Sequence, residues 1–153
     1  MVSERNARLK HSRYFAEILL RADRLYEKGG NNIEQGLHLF DDSVKNIEIG
    51  QAWAAQQVKL DESAAALASE YPERGAHCLY LRQRPAERVA WLETALEVAH
   101  MRGFELLEGT LHGKIGLALA EMGKYQKAIK HYSIRMEIAE KWKDIEGLGE
   151  GGL

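Results

Sequence analysis

Apolar residues recur at helical spacing along nearly the whole chain. Tyr14, Phe15, Ile18, Leu19, Ala22, Leu25 and Tyr26 form one stripe, with Glu17, Arg21, Asp23, Arg24 and Lys28 largely off it. That spacing predicts an amphipathic helix. Gly29-Gly30 ends it, because glycine takes the left-handed cap at little cost. Asn31 or Asn32 is the expected cap of the next helix, in which Ile33, Leu37 and Phe40 face one way. Asp41-Asp42-Ser43 reads as a further start, for a helix carrying Val44, Ile47, Ala54 and Val58 with Trp53 on its flank. Asp61 caps another over Ala64, Ala65, Leu67 and Ala68. Pro72 suits a first helical turn and predicts a fresh start, for a helix running to about Gln83, and Pro85 opens the next in the same way. No run alternates with period two, and no Asn-Gly or Asp-Gly hairpin signal occurs. The pattern predicts an all-α chain of about eight helices joined by short turns.

Composition narrows the class. At 153 residues the chain is long enough to bury a real core as one domain. The formal net charge is −2, without a long run of one sign, which argues against a dedicated nucleic-acid binder or an anionic-membrane binder. A single cysteine excludes an internal disulfide and a cysteine-rich zinc site, and fits a reducing, cytoplasmic setting. Residues 1–10 lack an apolar secretion stretch, and nowhere do about 18 apolar residues run together.

The chain repeats itself. Residues 88–99 align with residues 128–139 at an offset of 40, pairing Val89 with Ile129, Leu92 with Tyr132, Leu96 with Met136, Val98 with Ile138 and Ala99 with Ala139. Glu108-Gly109 and Gly113-x-Ile115 recur as Glu146-Gly147 and Gly151-x-Leu153, at an offset of 38. Such periods suit stacked helix pairs, each burying its apolar face on a neighbour. The segment from Ile115 to Ala139 resembles a tetratricopeptide repeat, through Ile115-Gly116, Leu119, Gly123, Tyr125, Ala128, Tyr132 and Met136. In that resemblance Gly116 and Ala128 are small where two helices cross, Gly123 makes the turn, and the two tyrosines fill the gap to the next pair. Arg135 departs from the family, which has a small alanine there. The preceding repeat keeps that alanine as Ala95 but has Arg88 and Pro85 at two other signature positions. The implied fold is antiparallel helix pairs stacked as a short right-handed solenoid.

A longer resemblance rests on Tyr14-Phe-Ala-Glu, Asn46-Ile, Gly50-Gln-Ala-Trp53-Ala-Ala, Leu81-Arg-Gln-Arg-Pro85 and Glu108-Gly…Gly113. These blocks are similar to bacterial STAND-type signalling ATPases, in which an NB-ARC domain and a winged helix precede a helical arm and tandem tetratricopeptide repeats. The likeness is to the arm and first repeats. It implies a polar segment over residues 1–12, an arm over 13–70, helix pairs over 71–144, and the start of a truncated further repeat over 145–153. An apolar last helix without its stacking neighbour is expected either in a fragment or in a chain that self-associates through its C-terminal helices.

Candidate chemistry is sparse. Gly147-Leu-Gly149-Glu-Gly-Gly152 matches G-x-G-x-x-G by letter but follows a helix rather than a strand, so it reads as a repeat turn. Gly109-Thr-Leu-His-Gly113-Lys114 has three residues between its glycines and lacks the magnesium-binding Ser or Thr of a P-loop. No two of the six histidines stand at i, i+4, and no His-Glu-x-x-His occurs, so no metal or other cofactor is expected. Cys78 beside His77 points about 100° away on a helix and reads as a small buried apolar residue. No G-x-S-x-G elbow is present, and no catalytic residue is assigned. The tryptophans Trp53, Trp91 and Trp142 read as packing residues.

The functional expectation is therefore a non-enzymatic protein-interaction module with a protein or peptide partner. By the repeat resemblance, the first helix of each pair lines a concave groove. That places Thr110, Gly113, Leu117, Ala120 and Glu121 in the groove from one repeat, and Glu73, His77 and Tyr80 from the other, beside Glu70 and Leu81. Gly113 and Leu117 replace the Lys and Asn of a carboxylate clamp, so an apolar or basic helix or peptide is the expected ligand. The alternatives are a structural oligomerisation segment and a small helical enzyme or metal-binding bundle.

Overall fold

The computed structural model describes the backbone of residues 2–151 and the side chains of residues 3–143. Its regular structure is entirely helical: α1 (Val2–Lys28), α2 (Asn31–Gln56), α3 (Glu62–Arg74), α4 (Ala76–Arg82), α5 (Pro85–Arg102), α6 (Glu105–Glu121) and α7 (Tyr125–Gly151). None of these helices is long and apolar enough to cross a membrane. They group into two compact units, Met1–Arg84 and Pro85–Leu153.

In the first unit α1 and α2 form an antiparallel hairpin. Gly29 and Gly30 make the turn at φ 76° and 58°, a backbone region costly for residues with a Cβ. Leu19 and Ala22 on α1 meet a core that includes Phe40, Ile47 and Ala54 of α2 and Tyr71 of α3, all almost completely buried. The close approach of the two helices is built from glycines. Gly36 lies against the α1 backbone at Ala22, and Gly50 lies under the Tyr71 hydroxyl. That hydroxyl donates to the Ser12 carbonyl at 2.6 Å, and the Ser12 hydroxyl donates to the Gly50 carbonyl at 2.9 Å. One residue from each of three helices is thus tied in a buried chain, and burial pushes the Tyr71 pKa up to about 12. Asp61 opens α3 by accepting from the Ser63 and Ala64 amides, while Arg5 of α1 pairs with its outer oxygen.

In the second unit α5, α6 and α7 run up, down and up. Gly103 and Gly123, at φ 71° and 76°, end α5 and α6 with the same pair of bonds. Phe104 and Lys124 amides reach back to the Ala99 and Leu119 carbonyls at 2.9 Å, while the two glycine amides bond the His100 and Ala120 carbonyls. This is the Schellman arrangement, which satisfies carbonyls a helix end otherwise leaves open. The core joins Leu92, Ala95 and Ala99 of α5 to Leu111, Ile115 and Leu119 of α6 and Ala128 of α7. On α6, Gly109, Gly113 and Gly116 sit against Ile138, Arg135 and Tyr132 of α7 in antiparallel register.

Several sequence expectations are corrected. Asp41-Asp42-Ser43 starts no helix, since α2 runs unbroken through it and Asp41 turns outward to Arg82, at 2.9 Å. Seven helices therefore span the described residues where about eight were expected. Neither Asn31 nor Asn32 caps α2, whose N-cap is Gly30 without a side-chain bond. Pro72 lies inside α3 near its end, and the break follows at Gly75, where any Cβ would collide with the Leu19 side chain. Asp23, grouped with the polar face of α1, is 3% exposed, whereas Tyr14 of the apolar stripe is largely exposed. Residues 2–12 lie in α1, and residues 71–84 group with the first unit. Backbone helix continues through residue 145 to Gly151, but the glycine motif ending at Gly152 and the echo ending at Leu153 lie outside the described residues.

Candidate functional site

Helix α4 has seven residues, too few to be stable on its own. Its first amides are satisfied from another helix. Asp23 of α1 accepts from the His77 and Cys78 amides through Oδ1, each at 2.9 Å. This is a helix cap delivered across 54 residues of chain instead of by the preceding residue. The other oxygen, Oδ2, faces His77 Nδ1 at 2.9 Å. Glu27, one turn further along α1, places Oε1 3.5 Å from the same nitrogen. The Tyr26 ring stacks on the imidazole with centroids 5.4 Å apart and planes inclined by 19°.

The three donor atoms lie within 4.8 Å of one another, and among the described residues no other trio of His, Cys, Asp or Glu does so. The hydrogen bond to Asp23 holds the His77 pKa above its ordinary 6.5, with partial burial opposing and the Asp23 and Glu27 charges adding. Cys78, next along α4, is completely buried. Burial and then the Asp23 charge push its thiol up to about 12, so it is a packing residue and not a nucleophile.

Sequence spacing hid this cluster because His77 stands 54 residues along the chain from Asp23. Two signals were present. Asp23 follows Leu19 by four residues and so falls on the flank of the apolar stripe, and Glu27 repeats the carboxylate one turn later.

A second histidine contact joins α6 to α7. His112 Nδ1 and His131 Nδ1 are 2.9 Å apart. Beside them Glu93, Leu96, Glu97, His100, Glu108 and His112 line a shallow cleft of about 330 Å³. His112 is held below the ordinary 6.5 by burial first and by His131 second, with Glu108 opposing.

The residues expected in a groove divide between the units. In the first, Glu73, His77 and Tyr80 are exposed. In the second, Thr110 and Leu117 are exposed along one flank of α6, Ala120 is half-buried, and Glu121 is paired with Arg88 at 3.2 Å. Gly113 is buried under the Arg135 side chain and offers no surface of its own. Large apolar side chains that the sequence did not assign to a groove also stand out: Leu106 at 55% exposure on α6, and Tyr125, Ile129 and Met136 at 55–64% on α7.

Compared with known protein families, characterised proteins and solved structures, the chain matches none.

Proposed function

We propose that the chain is a non-enzymatic protein-protein interaction module, binding a peptide or helix and serving as a sensor or scaffold segment of a signalling protein. The observation that carries this reading is the exposed apolar surface of the second unit. Leu106 and Leu117 on α6, and Tyr125, Ile129 and Met136 on α7, stay outside a core that is complete without them. On α7 these three lie within about 40° of one another at 100° per residue, a stripe rather than scattered singletons. Stripes of this spacing are what an amphipathic partner helix docks on.

The packing of α6 on α7 supports the tetratricopeptide-like reading. Gly116 lies under Tyr132, Gly123 turns the chain, and Ala128 is buried where the helices meet. In that reading the pairs stack as a right-handed solenoid, and a bound partner is relayed by repacking of the helix pairs. The resemblance to the arm and first repeats of STAND-type ATPases supports the sensor role.

The test is selection of helical peptides against the whole chain, followed by binding to Leu117→Arg, Tyr80→Ala and Ile129→Lys variants with unchanged far-ultraviolet circular dichroism. Loss in Leu117→Arg or Tyr80→Ala supports the groove, and loss in Ile129→Lys alone moves the docking surface to α7. Binding retained in all three overturns the proposal. Light scattering of the same variants separates the oligomerisation reading, in which Ile129→Lys alters the mass while peptide binding is absent throughout.

A further inference from the structure

We propose that Asp23, Glu27 and His77 form a binding site for a divalent transition-metal ion of the zinc class, which staples the short α4 to α1. Capping of α4 accounts for one oxygen of Asp23 and no more. Oδ1 takes the His77 and Cys78 amides, which fixes the plane of the carboxylate and aims Oδ2 at His77 Nδ1, 2.9 Å away, where an ion can replace the shared proton. A buried carboxylate oriented by backbone bonds is the kind of outer-shell support that metal ligands need. His77 is oriented as well, by the Tyr26 ring stacked on it.

The two separations from the imidazole suit an ion. Two atoms bound at about 2.1 Å in tetrahedral geometry are about 3.4 Å apart. The separations from His77 Nδ1, 2.9 Å to Asp23 Oδ2 and 3.5 Å to Glu27 Oε1, bracket that value. The donor set selects the class of metal. An imidazole with two carboxylates suits zinc and its neighbours, while magnesium and calcium take all-oxygen shells. Glu27 and His77 are each about half exposed, so the outer coordination positions open to solvent and are left to water or to a partner's side chain. The ion takes the place of the proton between Nδ1 and Oδ2: a neutral ring then carries its single proton on Nε2, with no net release, and a charged ring gives its Nδ1 proton to buffer.

The experiment uses the full chain stripped with a chelator and titrated with zinc by calorimetry and with cobalt(II) by visible absorption. The expected result is a single equivalent bound in the micromolar range, with magnesium silent. His77→Ala keeps the backbone amide that Asp23 caps, and Glu27→Gln changes an exposed side chain, so both variants should fold. Binding should vanish in His77→Ala and weaken about tenfold or more in Glu27→Gln. His112→Ala, which removes the other histidine contact, should leave the titration unchanged. Absence of zinc binding in the wild type overturns the proposal. So does binding of unchanged strength in either His77→Ala or Glu27→Gln, or its loss in His112→Ala.

Discussion

Gly36 of α2 lies against the backbone of α1 at Ala22. A Cβ at residue 36 would stand 2.5 Å from the Ala22 carbonyl oxygen and 2.9 Å from the Tyr26 amide nitrogen. Backbone atoms inside a helix cannot step aside as a side-chain tip can, so an added methyl must push the helices apart. Gly36→Ala should therefore lose about 2 kcal/mol of stability, although alanine is the better helix former by about 1 kcal/mol. Gly113 gives the contrast. Its neighbour is the exposed Arg135 side chain, whose end can swing away. Gly113→Ala should match the wild type within about 0.5 kcal/mol or exceed it. Urea midpoints of the two variants check both, and equal losses would refute the difference in contact.

Helix content and most turns were legible because they depend on local chemistry. The two-glycine turn at Gly29-Gly30, the Asp61 cap, the Gly123 turn and the small Gly116 where α6 meets α7 all follow from residues a few positions apart or from one repeat, whereas Tyr132, expected toward a next pair, packs on Gly116 itself. The errors came where tertiary contacts override local preference. Asp41-Asp42-Ser43 is good capping sequence, yet α2 passes through it because Phe40, Ile47 and Ala54 must stay in one continuous register to reach the core. Pro72 is good starting sequence, yet the break comes at Gly75, where Leu19 leaves no space for a Cβ. The Asp23–Glu27–His77 cluster was illegible for the same reason, because His77 reaches α1 only after α4 has docked.

Tyr71 tests the buried chain that links three helices. Its hydroxyl donates to the Ser12 carbonyl at 2.6 Å, away from water. Tyr71→Phe keeps the ring packing and leaves that carbonyl without this partner. The expected loss is about 1–2 kcal/mol, read from chemical denaturation. A variant as stable as the wild type would mean that the hydroxyl bond contributes nothing net.

Asp61 makes the acid side of the stability profile testable. Burial favours its neutral form, but the Arg5 hydrogen bond and the Ala64 and Ser63 amides outweigh it and hold the pKa below the ordinary 3.8. A depressed carboxylate contributes stability that is present above the unfolded pKa and is lost as pH falls through the folded one. Asp61→Asn retains a capping side chain and removes the charge. It should be less stable than the wild type at neutral pH by about 1 kcal/mol, with the gap closing as pH falls below the ordinary aspartate value. Denaturation midpoints across that acid range check the convergence, and a constant gap would assign the loss to packing.

His112 and His131 form a second contact that acid weakens, here because the neutral ring is the one it needs. With Nδ1 atoms 2.9 Å apart, one nitrogen must donate and the other accept, so the contact requires at least one neutral ring and is lost when both are charged. Burial and the His131 charge lower the His112 pKa below 6.5, while Glu108, one turn earlier on α6, opposes them. His100 of α5 lies 3.5 Å from that same carboxylate and shares its charge. Because the folded pKa is the lower one, the unfolded chain takes up the proton first. The contribution is complete above 6.5 and falls as pH drops below it. His77 carries the reverse sign, since its raised pKa contributes stability at low pH that is lost as pH rises, so the wild-type profile alone mixes the two. The difference between wild type and His112→Phe removes the His77 contribution. That difference should shrink between about pH 7 and about pH 5, by up to about 1.4 kcal/mol for each pH unit over which the folded and unfolded forms differ by a proton. If it stays constant across that range, the imidazole pair holds α6 to α7 by packing alone.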